Sequence, residues 1–163
     1  MAYELEAWHD FFVAVAGAAA ALVGLLFVAI SINLDRVLAF PTLPRRAANT
    51  LGVLGAVLVV AVFALAPGQG TTAIGLEVLV VGAIVTGQSL VQTRGLGSAP
   101  ETPRSSTAVH VAMVLAPSLA LVLGGLSLVL ERGGGLYWVL AAAVLAFASA
   151  MVNGWVLLVE IKR

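Results

Sequence analysis

Residues 11–33 read FFVAVAGAAAALVGLLFVAISIN, an unbroken run without a charged side chain in which small residues recur four apart. A helix rises about 1.5 Å per residue and the hydrocarbon core of a bilayer is about 30 Å thick, so about 20 apolar residues cross it. The run therefore predicts a membrane-spanning helix. Its rows of alanine and glycine predict a face on which a second helix can lie.

The rest of the chain shares that character. Its 163 residues are 61% hydrophobic and 10% charged, with a mean hydropathy of +1.11, where a soluble domain has roughly a quarter of its residues charged. The class is integral membrane protein. Formal net charge is zero and no basic run exceeds Arg45-Arg46, so the extended positive surface that nucleic-acid binding needs is missing. With no cysteine, disulfides, thiolate metal sites and cysteine nucleophiles are excluded. The opening MAYELEAWHD holds Glu4, Glu6 and Asp10 but no Lys or Arg, the wrong start for a cleaved secretory signal. The first helix is expected to stay in the mature protein.

Four more spans follow within one membrane domain, residues 1–163: about 47–66, 72–91, 109–130 and 137–159, in addition to 11–33. Pro41 and Pro44 interrupt the connection LDRVLAFPTLPRR, and Arg36, Arg45 and Arg46 place it in water or among lipid headgroups. The second helix is expected to start early, with Thr42 as cap and Pro44 in the first turn. PGQGT at 67–71 is a tight turn, RGLGSAPETPRSST at 94–107 is the longest polar stretch and the candidate mobile loop, and ERGGG at 131–135 joins the last two spans. The fold class is all-α: a polytopic bundle of five transmembrane helices.

Five spans force the connections to alternate sides. With the amino terminus outside, the inner side receives Arg36, Arg45, Arg46, Arg94, Arg104, Lys162 and Arg163, and the outer side only Arg132. That asymmetry follows the positive-inside rule and sets the carboxyl terminus in the cytoplasm. Trp8 and the pair Tyr137-Trp138 then fall at the outer interface, and Trp155 toward the inner one.

Lipid supplies no hydrophobic force between helices, so their packing depends on small residues that admit a neighbour's backbone. The first span offers Ala16, Ala20 and Gly24, beside Gly17 and Ala21; the third offers Ala83 and Gly87. The fourth carries Ala112, Ala116, Ala120 and Gly124, and the fifth Ala142, Ala146, Ala150 and Gly154. Such strips serve packing inside one subunit or contact with another. Pro117 removes a backbone hydrogen bond to Met113 and predicts a bend, with Ser118 available to the freed backbone.

Few polar side chains lie in the spans. Glu77 is the one formally charged residue among them, and an intramembrane carboxylate is by default a functional hypothesis. Arg132 and His9 are its expected partners on the outer side, and a cation or proton is its expected ligand class; a snorkelling or paired structural carboxylate is the plainer reading. Toward the inner side Ser31, Asn33, Asn49, Gln88, His110 and Asn153 share a depth and predict an interhelical hydrogen-bond layer, read chiefly as structural glue. Arg45, Arg46 and Arg94 are candidates for lipid headgroups. Two histidines 101 positions apart make no metal site, and no HExxH, Walker or GxSxG pattern is present. No cofactor is implied, and an enzyme is not expected.

The stretches GLLFVAISINLDRVL, LPRRAANTLGVLG, ALAPGQ and GLEVLVVG resemble a group of small, mostly uncharacterised multi-pass bacterial membrane proteins, some labelled as modulators of a membrane-bound AAA protease. The resemblance covers roughly the first three spans. It implies a bacterial inner-membrane location and draws attention to Asn33, Arg36, Gln69 and Glu77, and it implies no activity. The expectation for function is a non-enzymatic protein acting through helix–helix association, as a homo-oligomer or as an accessory or regulatory partner of a larger membrane complex. The alternative is an oligomeric pore or small-solute conductor with Glu77 near the outer mouth and Asn33, Gln88, His110 and Asn153 near the inner one.

Overall fold

A computed structural model of the chain describes residues 2–39, 43–93 and 104–159, without the side chains of 104–110 and 156–159. Every described element is helical: a short 3-10 turn at Leu5–Trp8, then α1 (His9–Ile32), α2 (Leu34–Ala39), α3 (Leu43–Ala64), α4 (Thr71–Thr93), α5 (Arg104–Val129) and α6 (Leu136–Val159). Five of these helices are long and apolar enough to cross a membrane, which makes the chain a multi-pass membrane protein. Thr42, Arg94, most of the expected mobile loop, Lys162 and Arg163 lie outside the described residues.

The first connection differs from expectation by containing a helix. Asn33 leaves the helical region (φ −111°, ψ 21°) and ends α1, its side-chain amide donating to the Ala29 carbonyl at 3.0 Å. Its own carbonyl then accepts from Val37 N–H at 2.9 Å, opening α2. A short amide side chain competes well for backbone partners, which explains how one residue both stops and restarts a helix. Pro44 sits in the first turn of α3, where its missing N–H costs nothing.

α3 is the hub. It touches all four other long helices and buries Val53, Leu54, Val57, Val60 and Ala61. The tightest approach lies elsewhere, between antiparallel α4 and α5. A Cβ placed on Gly125 would stand 2.5 Å from the Leu79 backbone nitrogen, one on Gly75 2.9 Å from that of Val129, and one on Gly82 2.9 Å from that of Val122. Successive pairs step along both helices in one register, with Leu79 lying over Gly125. The sequence strip Ala83 and Gly87 is exposed instead; the working glycines of α4, Gly75 and Gly82, are seven apart, about two helical turns. In α5, Pro117 and Ser118 are fully buried, and Ser118 Oγ donates to the Leu115 carbonyl at 3.0 Å.

The other strips divide. Ala142, Ala146 and Ala150 of α6 are buried, and a Cβ placed on Gly154 would stand 3.7 Å from the Leu26 side chain of α1. In α5, Ala120 and Gly124 are buried, Ala116 is half-buried and Ala112 is exposed, with a Cβ at Gly124 lying 3.3 Å from Trp138 and Val139 of α6. On α1, Ala16 is half-buried, while Gly17, Ala20, Ala21 and Gly24 are exposed. The buried face of α1 is Phe12, Val15, Ala19, Leu26 and Ala29.

Candidate functional site: polar clusters at the two ends of the bundle

Toward the carboxyl end of α4, three helices share a hydrogen-bonded cluster. Ser89 Oγ of α4 donates to Asn49 Oδ1 of α3 at 2.9 Å, both side chains buried. Asn153 Nδ2 of α6 donates to Thr50 Oγ1 at 2.9 Å and lies 3.4 Å from Ser149 Oγ. The Thr50 hydroxyl donates in turn to the Arg46 carbonyl at 2.9 Å, so it donates once and accepts once. Gln88 Nε2 reaches the Ala48 carbonyl at 3.3 Å. Its amide lies over Gly52, where a Cβ would come within 2.8 Å of it. Buried polar groups in an apolar medium are costly unless paired, and this cluster pairs them across α3, α4 and α6.

Of the expected inner layer, Asn49, Gln88 and Asn153 therefore meet on or around α3. Ser31 and Asn33 do not join them: each donates to its own α1 backbone, at Phe27 (2.8 Å) and Ala29 (3.0 Å). His110 belongs to α5, and its side chain is outside the description. Thr50, Ser89 and Ser149 were missed by sequence reasoning, because a hydroxyl in a membrane helix ordinarily bonds its own helix backbone. The available signal was position: Thr50 and Ser89 each adjoin a polar residue of the layer, and Ser149 precedes Asn153 by one turn.

At the other end, Glu77 is half-buried six residues into α4. Its carboxylate oxygens accept from one amide nitrogen, Gln69 Nε2, at 3.2 and 3.1 Å. Gln69 belongs to the α3–α4 turn, so the carboxylate is drawn up toward that turn rather than to Arg132 or His9, both of which are exposed. The physical reason is reach: the turn folds back over the start of its own helix, while Arg132 and His9 sit on other elements. Gln69 Oε1 and, further along α4, Thr86 Oγ1 are buried without a partner.

The same end carries a feature the sequence did not announce. Residues 2 and 3 tie the turns together: the Ala2 carbonyl accepts from Leu136 N–H at 2.9 Å, the Tyr3 carbonyl from Thr71 Oγ1 at 3.2 Å, and the Tyr3 hydroxyl from Gly134 N–H at 3.2 Å. Ser127 Oγ completes the anchor by donating to the Arg132 carbonyl and accepting from Gly135 N–H. Gly133, Gly134 and Gly135 all have positive φ, and a Cβ on Gly135 would collide with the Ala2 carbonyl, so the GGG run is a conformational and steric requirement. Trp8 packs edge-on against Tyr137 at 4.9 Å and Phe11 at 5.3 Å, and Trp138 Nε1 donates to the Gly133 carbonyl at 2.8 Å.

Arg45 is exposed and Arg46 half-buried in the first turn of α3. The fold and these clusters define a multi-pass helical membrane protein with small polar clusters and an apolar middle. No protein family, curated protein or solved structure matches the chain.

Proposed function

We propose that the chain is a non-enzymatic integral membrane protein acting through helix–helix association, as a homo-oligomer or as an accessory or regulatory partner of a larger membrane complex. One observation carries this reading: the small-residue face of α1 is open. Nothing lies within 4 Å of a Cβ built on Gly17 or Gly24, whereas Gly75, Gly82 and Gly125 are each filled by a neighbour. Only 22% of the most apolar stretch of the first span is buried within the chain, against 56% for α3. A smooth strip admits a backbone closely and gains dispersion contact that lipid tails fill poorly.

The proposed orientation has the amino terminus outside and the carboxyl terminus in the cytoplasm, supported by the distribution of Lys and Arg along the sequence. Placement in a bacterial inner membrane rests on the resemblance of residues 24–38, 43–55, 64–69 and 75–82. The pore alternative has less support. Between the polar clusters the described core is apolar, with Leu54, Val57, Val60, Val78 and Leu121 buried, so a polar passage would have to run between copies.

The chain has no cysteine, which permits a clean crosslinking experiment in native membranes. Ala20→Cys is expected to give a covalent dimer or a partner adduct under oxidation or with a short bifunctional reagent. Val144→Cys, on an exposed position of α6, is expected to give far less. A chain that purifies as a lone monomer, with Ala20→Cys yielding no adduct, would overturn the reading. Labelling of Gly68→Cys solely from the cytoplasmic side would overturn the orientation.

A further inference from the structure

Glu77 and Gln69 bring three oxygens and a single amino group to one place. Both carboxylate oxygens accept from Gln69 Nε2, at 3.2 and 3.1 Å, while Gln69 Oε1 is buried with no donor. An ionised carboxylate only accepts hydrogen bonds, so the pair holds more acceptor sites than hydrogens to fill them. Its negative charge also lies inside a membrane-length helix, where an ionisable side chain without a counter-charge is costly.

The elements around Glu77 supply no such charge among the described residues. Gly75 and Leu79 meet α5, and Glu77, two residues from each, lies about 200° round the helix from that seam. Gln88, about three turns further along the same flank, reaches the Ala48 carbonyl of α3, so Glu77 borders α3. The cations of α3, Arg45 and Arg46, are in its first turn, and Arg104 and His110 open α5; both helices meet the start of α4 with their other ends. Glu131 and Arg132 after α5, and Glu4, Glu6, His9 and Asp10 near the amino terminus, are exposed. The Tyr3 hydroxyl is engaged by Gly134.

Calcium takes about six to eight oxygen ligands, and the pair offers three; a proton needs two. We infer that Glu77 and Gln69 form a proton-binding pair that latches the α3–α4 turn to α4. Once protonated, the Glu77 hydroxyl donates to Gln69 Oε1 while Gln69 Nε2 donates to the other carboxyl oxygen, closing a ring of two hydrogen bonds between acid and amide. A single proton, exchanged with water past the exposed Gly68 and Gly70, thereby removes the charge and fills the orphan acceptor. On ionisation the turn is held by the shared amino group alone. This latch is independent of the helix association proposed above.

The test uses the full chain in lipid nanodiscs, with infrared spectroscopy and hydrogen exchange read at acid and at neutral pH. At acid pH the difference between the native chain and Glu77→Gln is expected to show one carboxylic-acid C=O band lowered in frequency by hydrogen bonding, and Gln69→Leu should return that band to the position of a free acid. The Ile74 backbone N–H, which donates to the Gly70 carbonyl at 3.1 Å, reports on the turn. Corrected for the intrinsic pH dependence of exchange, its protection in the native chain is expected to be about fivefold greater at acid than at neutral pH, the equilibrium effect of one added hydrogen bond. Glu77→Gln should show the higher protection at both, because its amide supplies the same donor without a charge. Equal native protection at the two pH values would overturn the inference, as would a pH dependence that persists in Glu77→Gln or a band that Gln69→Leu leaves unmoved. If sodium or calcium at neutral pH reproduced the whole gain, the site would take a metal cation and the proton assignment would fall.

Discussion

α1 and α6 carry nearly the same pattern of small residues and use it in opposite ways. Ala142, Ala146 and Ala150 of α6 are sealed inside the chain, whereas Ala20 and Gly24 of α1 are open and α1 instead buries Phe12, Val15, Ala19 and Leu26. A row of alanines four apart therefore states where a backbone is able to approach, without stating that one does. The decision belongs to the neighbours: α6 lies beside α3, α5 and α1, whereas α1 is contacted mainly by α3 and, less, by α6.

Substitutions sharpen that contrast, and the largest effect belongs to the α4–α5 seam. Gly125→Leu drives a side chain into the backbone of Leu79, which cannot yield as a flexible side chain would, and is expected to cost about 3 kcal/mol or more, read as unfolding at markedly lower denaturing detergent. Ala146→Leu, in the sealed strip of α6, follows at about 1–3 kcal/mol. Ser89→Ala leaves the buried Asn49 oxygen without its donor and should cost about 1 kcal/mol in the same assay. Asn153→Ala removes one interhelical hydrogen bond, worth about 0.6 kcal/mol. Ala20→Leu is expected to change stability of the isolated chain by less than about 0.5 kcal/mol while abolishing, in native membranes, the adducts of a cysteine placed at Gly24 on the same open face. Should Ala20→Leu destabilise as much as Ala146→Leu, the two strips would be equivalent and the contrast would collapse.

The polar residues divide in a similar way. Asn33, Asn49, Gln88 and Asn153 all stand out in an apolar sequence, yet Asn33 ends a helix, Gln88 lies across the α3 backbone, and Asn49 and Asn153 bond to hydroxyls. Depth along a helix is legible from residue number, because the rise per residue is constant. Azimuth is less so, because it depends on which neighbour each helix leans on. Glu77 illustrates the limit: its position near a helix start was readable, but its partner Gln69 lies in a turn whose path only the folded chain defines. The amino-terminal anchor was invisible for a related reason. Ala2 acts through its carbonyl, and the glycines that receive residues 2 and 3 are some 130 positions away.

Sequence by itself determined the number of membrane-length helices, their approximate bounds and the absence of cysteine chemistry, since hydropathy and helical rise are local properties that each segment carries alone. Tertiary structure decided that α3 is the hub, that Gly75, Gly82 and Gly125 rather than Ala83 and Gly87 make the closest seam, and that α1 keeps an open face. Those outcomes depend on the competition among helices for each other's smooth sides. In a medium as apolar as the side chains themselves, van der Waals fit settles that competition, and fit is a property of pairs.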